Sequence, residues 1–182
     1  MVEQKIITDR KLIAKYKAEW DLVEKLDGGW EMLFKDPKSG EDWRYVRLNN
    51  DYHNSEFAIV FAQPEPSIED LIVLIIESKD LEFVAVCAAY LRDNLDEEDQ
   101  DHRQTLITRC EEHLGMQGRL IPRKERKKLK IIIENSRLDD DHNQRPTMNK
   151  PFEVVDADHT YYKDIAKRAK AILKRVKGGW GF

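Results

Sequence analysis

The 182-residue sequence predicts an α+β fold: an N-terminal helix, a three-stranded antiparallel meander, then a mainly helical C-terminal half. Three observations predict it. Near the N-terminus apolar residues recur at three- and four-residue steps, the period of a helix with one buried face. Between residues 30 and 62 aromatic and branched residues gather in short arms around turn-forming residues. Beyond residue 66 the helical step returns and, apart from a loop at 137 to 157, runs to residue 177.

The first helix is expected over residues 9 to 26. Leu12, Ile13, Tyr16, Trp20, Val23 and Leu26 share a face, Asp9 supplies an N-cap, and Gly28 and Gly29 stop it. The arms WEMLF and WRYVRL then flank DPKSGED, whose Pro, Ser, Gly and Asp suit a chain reversal. In the second arm Trp43, Tyr45 and Arg47 alternate with Arg44, Val46 and Leu48. A third strand, FAIVFA at 57 to 62, follows the polar turn NNDYHNSE. Trp30 and Trp43 on such a sheet are expected to pack against a helix.

PEPS at 64 to 67 opens the helical part. Ser67 can cap a helix over 68 to 78, with Glu69 and Asp70 in its first turn. Residues 80 to 94 form the next helix, with Phe83, Val84, Val86, Cys87, Tyr90 and Leu91 inward. Only Lys79 and Asp80 separate the two, so they should pair as a hairpin. A third helix is expected over 96 to 115, ended by Gly115. A fourth is expected over 123 to 136, with Leu129, Ile132 and Ile133 inward and its bases outward. A long loop at 137 to 157 then leads to a last helix over 158 to 177. The chain thus reads as 1–65, helix plus meander, and 66–182, helical region, together one compact domain.

Composition excludes several classes. About 41% of residues are hydrophobic and 36% charged, the mark of a folded chain with a charged surface. No apolar run approaches a membrane span, and MVEQKIITDRK carries charges where a secretory signal needs an apolar block. A cytoplasmic location is therefore expected, with no membrane partner. Cys87 and Cys110 lack metal spacing and read as buried thiols. The net charge of −4 is uneven. DNLDEEDQD at 93 to 101 holds six acids and no base, while 119 to 130 and 160 to 182 each hold seven bases and one acid.

Catalytic signatures are sparse. The sequence has no G-x-S-x-G, no P-loop, no G-x-G-x-x-G after a strand, no HExxH and no calcium loop, and no cofactor is implied. Its five histidines are scattered. The one metal-like arrangement is DDDH at 139 to 142 with DADH at 156 to 159. Asp139, Asp141, His142, Asp156, Asp158 and His159 offer hard oxygens beside imidazoles. Asp158 equally suits an N-cap for the last helix. RKERKKLK and the basic last helix could neutralise phosphates, but the first lacks stacking aromatics and the whole chain is acidic. Asp93, Asp96, Glu97, Glu98, Asp99 and Asp101 could instead meet a basic protein surface.

The stretch GWEMLFKDPKSGEDWRYVRL, continuing to NNDYHNSEFAIVFA, resembles a block in a family of small bacterial immunity proteins from polymorphic toxin systems. The matching features are Gly29, Trp30, Glu31 and Leu33, the turn from Asp36 to Gly40, Trp43, and Tyr52 with His53. The family's small-residue turn after the histidine is replaced here by Asn54, Ser55 and Glu56. The resemblance covers about residues 29 to 62 and implies a non-enzymatic protein that neutralises a cognate toxin. The acidic run from Asp93 to Asp101 would then suit a toxin with a basic cleft. The alternatives are a metal-dependent enzyme acting on nucleic acid, or a nucleic-acid-binding module that uses the basic helices.

Overall fold

The computed structural model describes residues 5–48, 57–93, 102–118 and 120–177. The chain divides into two compact units, Met1–Asp93 and Asn94–Phe182. The helices before residue 94 therefore group with the sheet.

The first unit runs β1 (Ile6–Ile7), α1 (Arg10–Glu19), β2 (Asp21–Leu26), a 3-10 turn (Asp27–Gly29), β3 (Glu31–Lys35), β4 (Asp42–Leu48), β5 (Phe57–Ala62), α2 (Ile68–Glu77) and α3 (Leu81–Asp93). All neighbouring strands are antiparallel, in the order β1-β5-β4-β3-β2. The expected meander is present as β3, β4 and β5. It sits inside a five-stranded sheet, because two further segments pair at its edges.

The larger correction concerns residues 21 to 26. Asp9 caps α1 as expected, accepting from the backbone N–H of Lys11 and Leu12 at 2.8 and 2.9 Å. The helix then ends at Glu19, and Trp20 turns extended, with φ −91° and ψ 149°. Val23 and Leu26 fit the helical step, but the segment gains a ladder with β3 instead, pairing Leu22 with Phe34 and Lys25 with Met32. Gly28 and Gly29 do not stop a helix. With Asp27 they lie at φ 43°, 62° and 95° and reverse β2 into β3, a conformation glycine adopts without steric cost. In the next turn the Asp36 carboxylate accepts from the Lys38 N–H and the Ser39 hydroxyl, which hold its pKa below the usual value.

Alternation along the strands gives the sheet two buried faces. Phe34, Trp43, Tyr45, Val60 and Ala62 meet Ile13 of α1. Val46, Ile59 and Phe61 point the other way, where α3 packs on β4 and β5 and the Tyr90 ring lies 4.8 Å from Phe61. Each such fully buried side chain contributes about 1.5–3 kcal/mol. Ser67 caps α2 as expected, accepting the Asp70 N–H at 3.1 Å. Asp80 does the same for α3 through Glu82 at 2.9 Å. α2 and α3 pack together, and every residue assigned to the inner face of α3 is buried.

The second unit comprises α4 (His102–Met116), α5 (Arg123–Ser136) and α6 (Phe152–Lys177). α6 packs on both other helices. Leu106, Ile107, Leu129, Ile132, Ile133 and Ile165 form its dry centre. Gly115 lies inside α4, and Gly118 at φ 65° follows the helix end. α5 has the expected bounds, but its bases are not all outward: Lys128 is buried and pairs with Glu125 at 2.9 Å. α6 starts at Phe152, six residues before the expected 158. Pro151 sits immediately before the helix, where a missing N–H costs nothing, and its carbonyl accepts from Val154 and Val155. Asp158 is therefore mid-helix and caps nothing. No helix among the described residues is long and apolar enough to cross a membrane.

Candidate functional site

The two tryptophans of the central stretch have different fates. Trp43 is buried under Trp20, with ring centroids 4.9 Å apart, and Trp20 stacks on Tyr16 at 4.7 Å. This three-ring column joins α1 to β4. Trp30 stands between the 3-10 turn and β3 and remains 44% exposed, with the Arg47 guanidinium 5.0 Å from its ring centroid. Backbone pairing fixes the two residues together, since the Arg47 N–H donates to the Trp30 carbonyl at 2.8 Å. Arg47 shares a strand face with Tyr45 and Trp43, which puts the Trp30–Arg47 pair on the α1 face of the sheet.

That face is only partly covered. α1 packs on β5, while at the far edge Leu22 is 47% exposed and Met32 half-buried. Among the described residues β2 has no strand beyond it. A bulge at Val23 and the charge of Lys25 limit strand addition there. What this region offers a partner is side chains, more than a free backbone ladder. Trp and Arg are, with Tyr, the residue types enriched among those that dominate protein interfaces.

On the opposite face Arg44 bridges two carboxylates. Its Nε and Nη2 donate to Glu31 at 3.0 and 2.8 Å, and its Nη1 donates to Glu65 at 2.8 Å. Burial opposes the charge on Arg44, but the bonds to Glu65 and Glu31 outweigh it and raise the guanidinium pKa. The Tyr90 phenol is raised by burial and by Glu65. This network ties the segment after β5 to the sheet. Sequence reasoning missed it, although a meander places Glu31 and Arg44 diagonally across adjacent strands.

In the second unit the six metal-ligand candidates do not gather into one site. Asp140, absent from that set, is the pivot of the loop. Its Oδ1 accepts from the His142 backbone N–H at 3.0 Å and lies 2.7 Å from Nδ1 of the same residue. Asp141 accepts from Lys170 at 3.1 Å. Asp140, Asp141 and His142 are the one group among the described residues whose ligand atoms lie within 4.8 Å of one another. Hydrogen bonding and charge from Asp140 raise the His142 pKa, and Lys170 lowers that of Asp141. An ion at this place would compete with Lys170 and with the imidazole hydrogen bond.

Asp139 lies apart from that triad, in an open depression shared with Lys170, Leu173, Lys174 and Lys177. Asp156 and His159 are exposed on α6. Asp158 is buried and hydrogen-bonds Arg145, with Lys150 3.7 Å away. Arg145 also lies over the Tyr161 ring at 4.7 Å. Nearby, Arg103 donates to the Arg137 carbonyl at 2.8 Å and stacks on Tyr162 at 4.9 Å, holding the last carbonyls of α5. Both cysteines are buried and free. Burial raises the thiol pKa of each, Cys110 to about 12, so neither is poised as a nucleophile.

Of the acidic candidates, Asp93 closes α3 and bonds Arg92 at 2.6 Å. Asp96, Glu97, Glu98, Asp99 and Asp101 lie outside the described residues, as do Tyr52 and His53. No protein-family model, curated protein or solved structure matches this chain.

Proposed function

We propose that this chain is a non-enzymatic protein-binding protein whose first unit presents the Trp30–Arg47 pair to its partner. The single observation behind this reading is an indole 44% exposed on a sheet face, with an arginine guanidinium 5.0 Å from its ring centroid. A large apolar ring kept at the surface has no role in the core that Trp43 already fills. Rigid aromatic anchors lose little entropy on binding. The resemblance over residues 29 to 62 makes a toxin the most concrete partner, and an immunity protein the most concrete function.

The test is co-expression with the product of the adjacent upstream gene, purification through a tag on one chain, and calorimetry. A stoichiometric complex is expected, with the neighbour toxic when expressed alone. Trp30→Ala should weaken it by about thirty-fold, the scale of an interface hot spot. Charge reversal at Glu97 and Glu98 should slow association at low salt. No complex and no toxicity would defeat the immunity reading. A complex indifferent to Trp30→Ala would move the interface elsewhere.

A second reading, a metal-dependent enzyme acting on nucleic acid, draws on the Asp140–Asp141–His142 group. Added manganese or magnesium would then raise the melting temperature through mass action, and EDTA would reverse the rise.

A further inference from the structure

The second unit differs from the rest of the chain in charge. Residues 1–93 hold twelve Lys and Arg against nineteen Asp and Glu; residues 94–182 hold sixteen Asp and Glu against nineteen Lys and Arg. Their arrangement on α6 is regular. Lys163, Lys167, Lys170, Lys174 and Lys177 follow one another at alternating steps of four and three residues, which keeps them on one face of the helix. All five are exposed. The stripe extends over about 21 Å of helix at 1.5 Å per residue.

Four of these lysines, Lys163, Lys167, Lys174 and Lys177, have no carboxylate partner among the described residues. Only Lys170 is engaged, by Asp141. The lower half of the stripe borders the open depression of about 600 Å³ that Asp139 and Leu173 help to line. Asp139 and Asp141 temper the potential there, and Asp164 sits beside the upper half, next to Arg168. A surface helix that needed only solubility would intersperse both signs along a face. Here one sign persists through four turns.

We propose that this lysine stripe is a docking surface for the phosphate backbone of duplex nucleic acid. A duplex carries about one negative charge per 1.7 Å of axis, so about twelve phosphates accompany the length of the stripe. Lysines are mobile point charges without the fork of arginine, suited to phosphates at variable positions and not to one fixed carboxylate. No exposed aromatic interleaves them, which argues against a single strand that would need stacking. The contact reads charge and shape, and carries no base specificity. It is independent of the Trp30 surface.

The test is fluorescence anisotropy of the full chain with a labelled mixed-sequence duplex of about 25 base pairs. With four or five phosphates neutralised, the log–log salt slope should be about −4, and affinity should fall about 250-fold between 50 and 200 mM salt. Lys163→Ala, Lys167→Ala, Lys174→Ala and Lys177→Ala together should leave a slope near −1 and weaken binding at least fifty-fold at 50 mM salt. Far-ultraviolet circular dichroism checks that the quadruple variant is folded. Lys15→Ala with Lys38→Ala, in the first unit, should bind as the parent does. Three results would overturn the proposal: no binding at 50 mM salt, a folded quadruple variant that binds like the parent, or polyglutamate binding as tightly as the duplex. The last would assign the stripe to an acidic protein.

Discussion

Replacing Asp158 by asparagine separates two readings of the same residue. As an N-cap, Asp158 would tolerate asparagine almost without cost, because the two cap equally well. In the structure it is instead 6% exposed in the body of α6, with its Oδ1 on Arg145 and Lys150 3.7 Å from its Oδ2. Asparagine keeps an acceptor there but removes the charge that faces two cations. Breaking a buried ion pair costs about 3–5 kcal/mol. The Arg145 and Lys150 side chains are 18% and 29% exposed, so solvent offsets part of that cost. Asp158→Asn should therefore destabilise by about 1.5–2 kcal/mol and Asp158→Ala by about 3 kcal/mol. Urea titration of the full chain reads this as a lower midpoint of the transition that includes the second unit. On heating, about 1 kcal/mol lowers the melting temperature by about 4–8 °C for a unit of this size. Arg145→Met combined with Asp158→Ala should recover part of the loss, since the stranded guanidinium is gone. An Asp158→Asn variant within about 0.5 kcal/mol of the parent would refute the buried-pair reasoning.

Three further outcomes follow from the structure. Cys87 and Cys110 should resist an aromatic disulfide reagent at pH 8 in the native state and react at once in urea; fast native labelling of either would contradict their burial. His142 should titrate above the ordinary imidazole range by NMR, and Asp140→Asn should bring it back. Because the folded pKa is the higher one, any stability that pair contributes is complete at acid pH and is lost as pH rises through that value. Trp43→Leu should cost about 3 kcal/mol by stripping the Tyr16–Trp20–Trp43 column, while Trp30→Leu should stay within about 0.5 kcal/mol, as a half-exposed residue would. Equal losses at the two tryptophans would contradict their different burial.

Elements whose local preferences agree with their surroundings were legible in the residues alone. Ser67 capping α2, Asp9 capping α1, the turn at Asp36 to Gly40 and the inner face of α3 were all anticipated. The caps and the turn depend on contacts a few residues apart, and the face of α3 shows in its own apolar period, so the sequence carries these signals. The metal candidates were legible only as residue types. Spacing along the chain cannot say that Asp158 would turn inward toward Arg145 while Asp156 and His159 stay in solvent.

By itself the sequence determined the α+β class, the meander from β3 to β5, all six helices with at least one end to within about a residue, and the uneven charge. Tertiary structure decided that residues 21 to 26 form a strand. Their apolar spacing suits a helix, but the edge of a sheet offers them a hydrogen-bond ladder that no local pattern reveals. It also decided which tryptophan is buried. Trp43 and Trp30 belong to the same kind of aromatic arm, and only the position of α1 across the sheet covers one and leaves the other at the surface. Burial is a property of what lies above a residue, and that comes from distant parts of the chain.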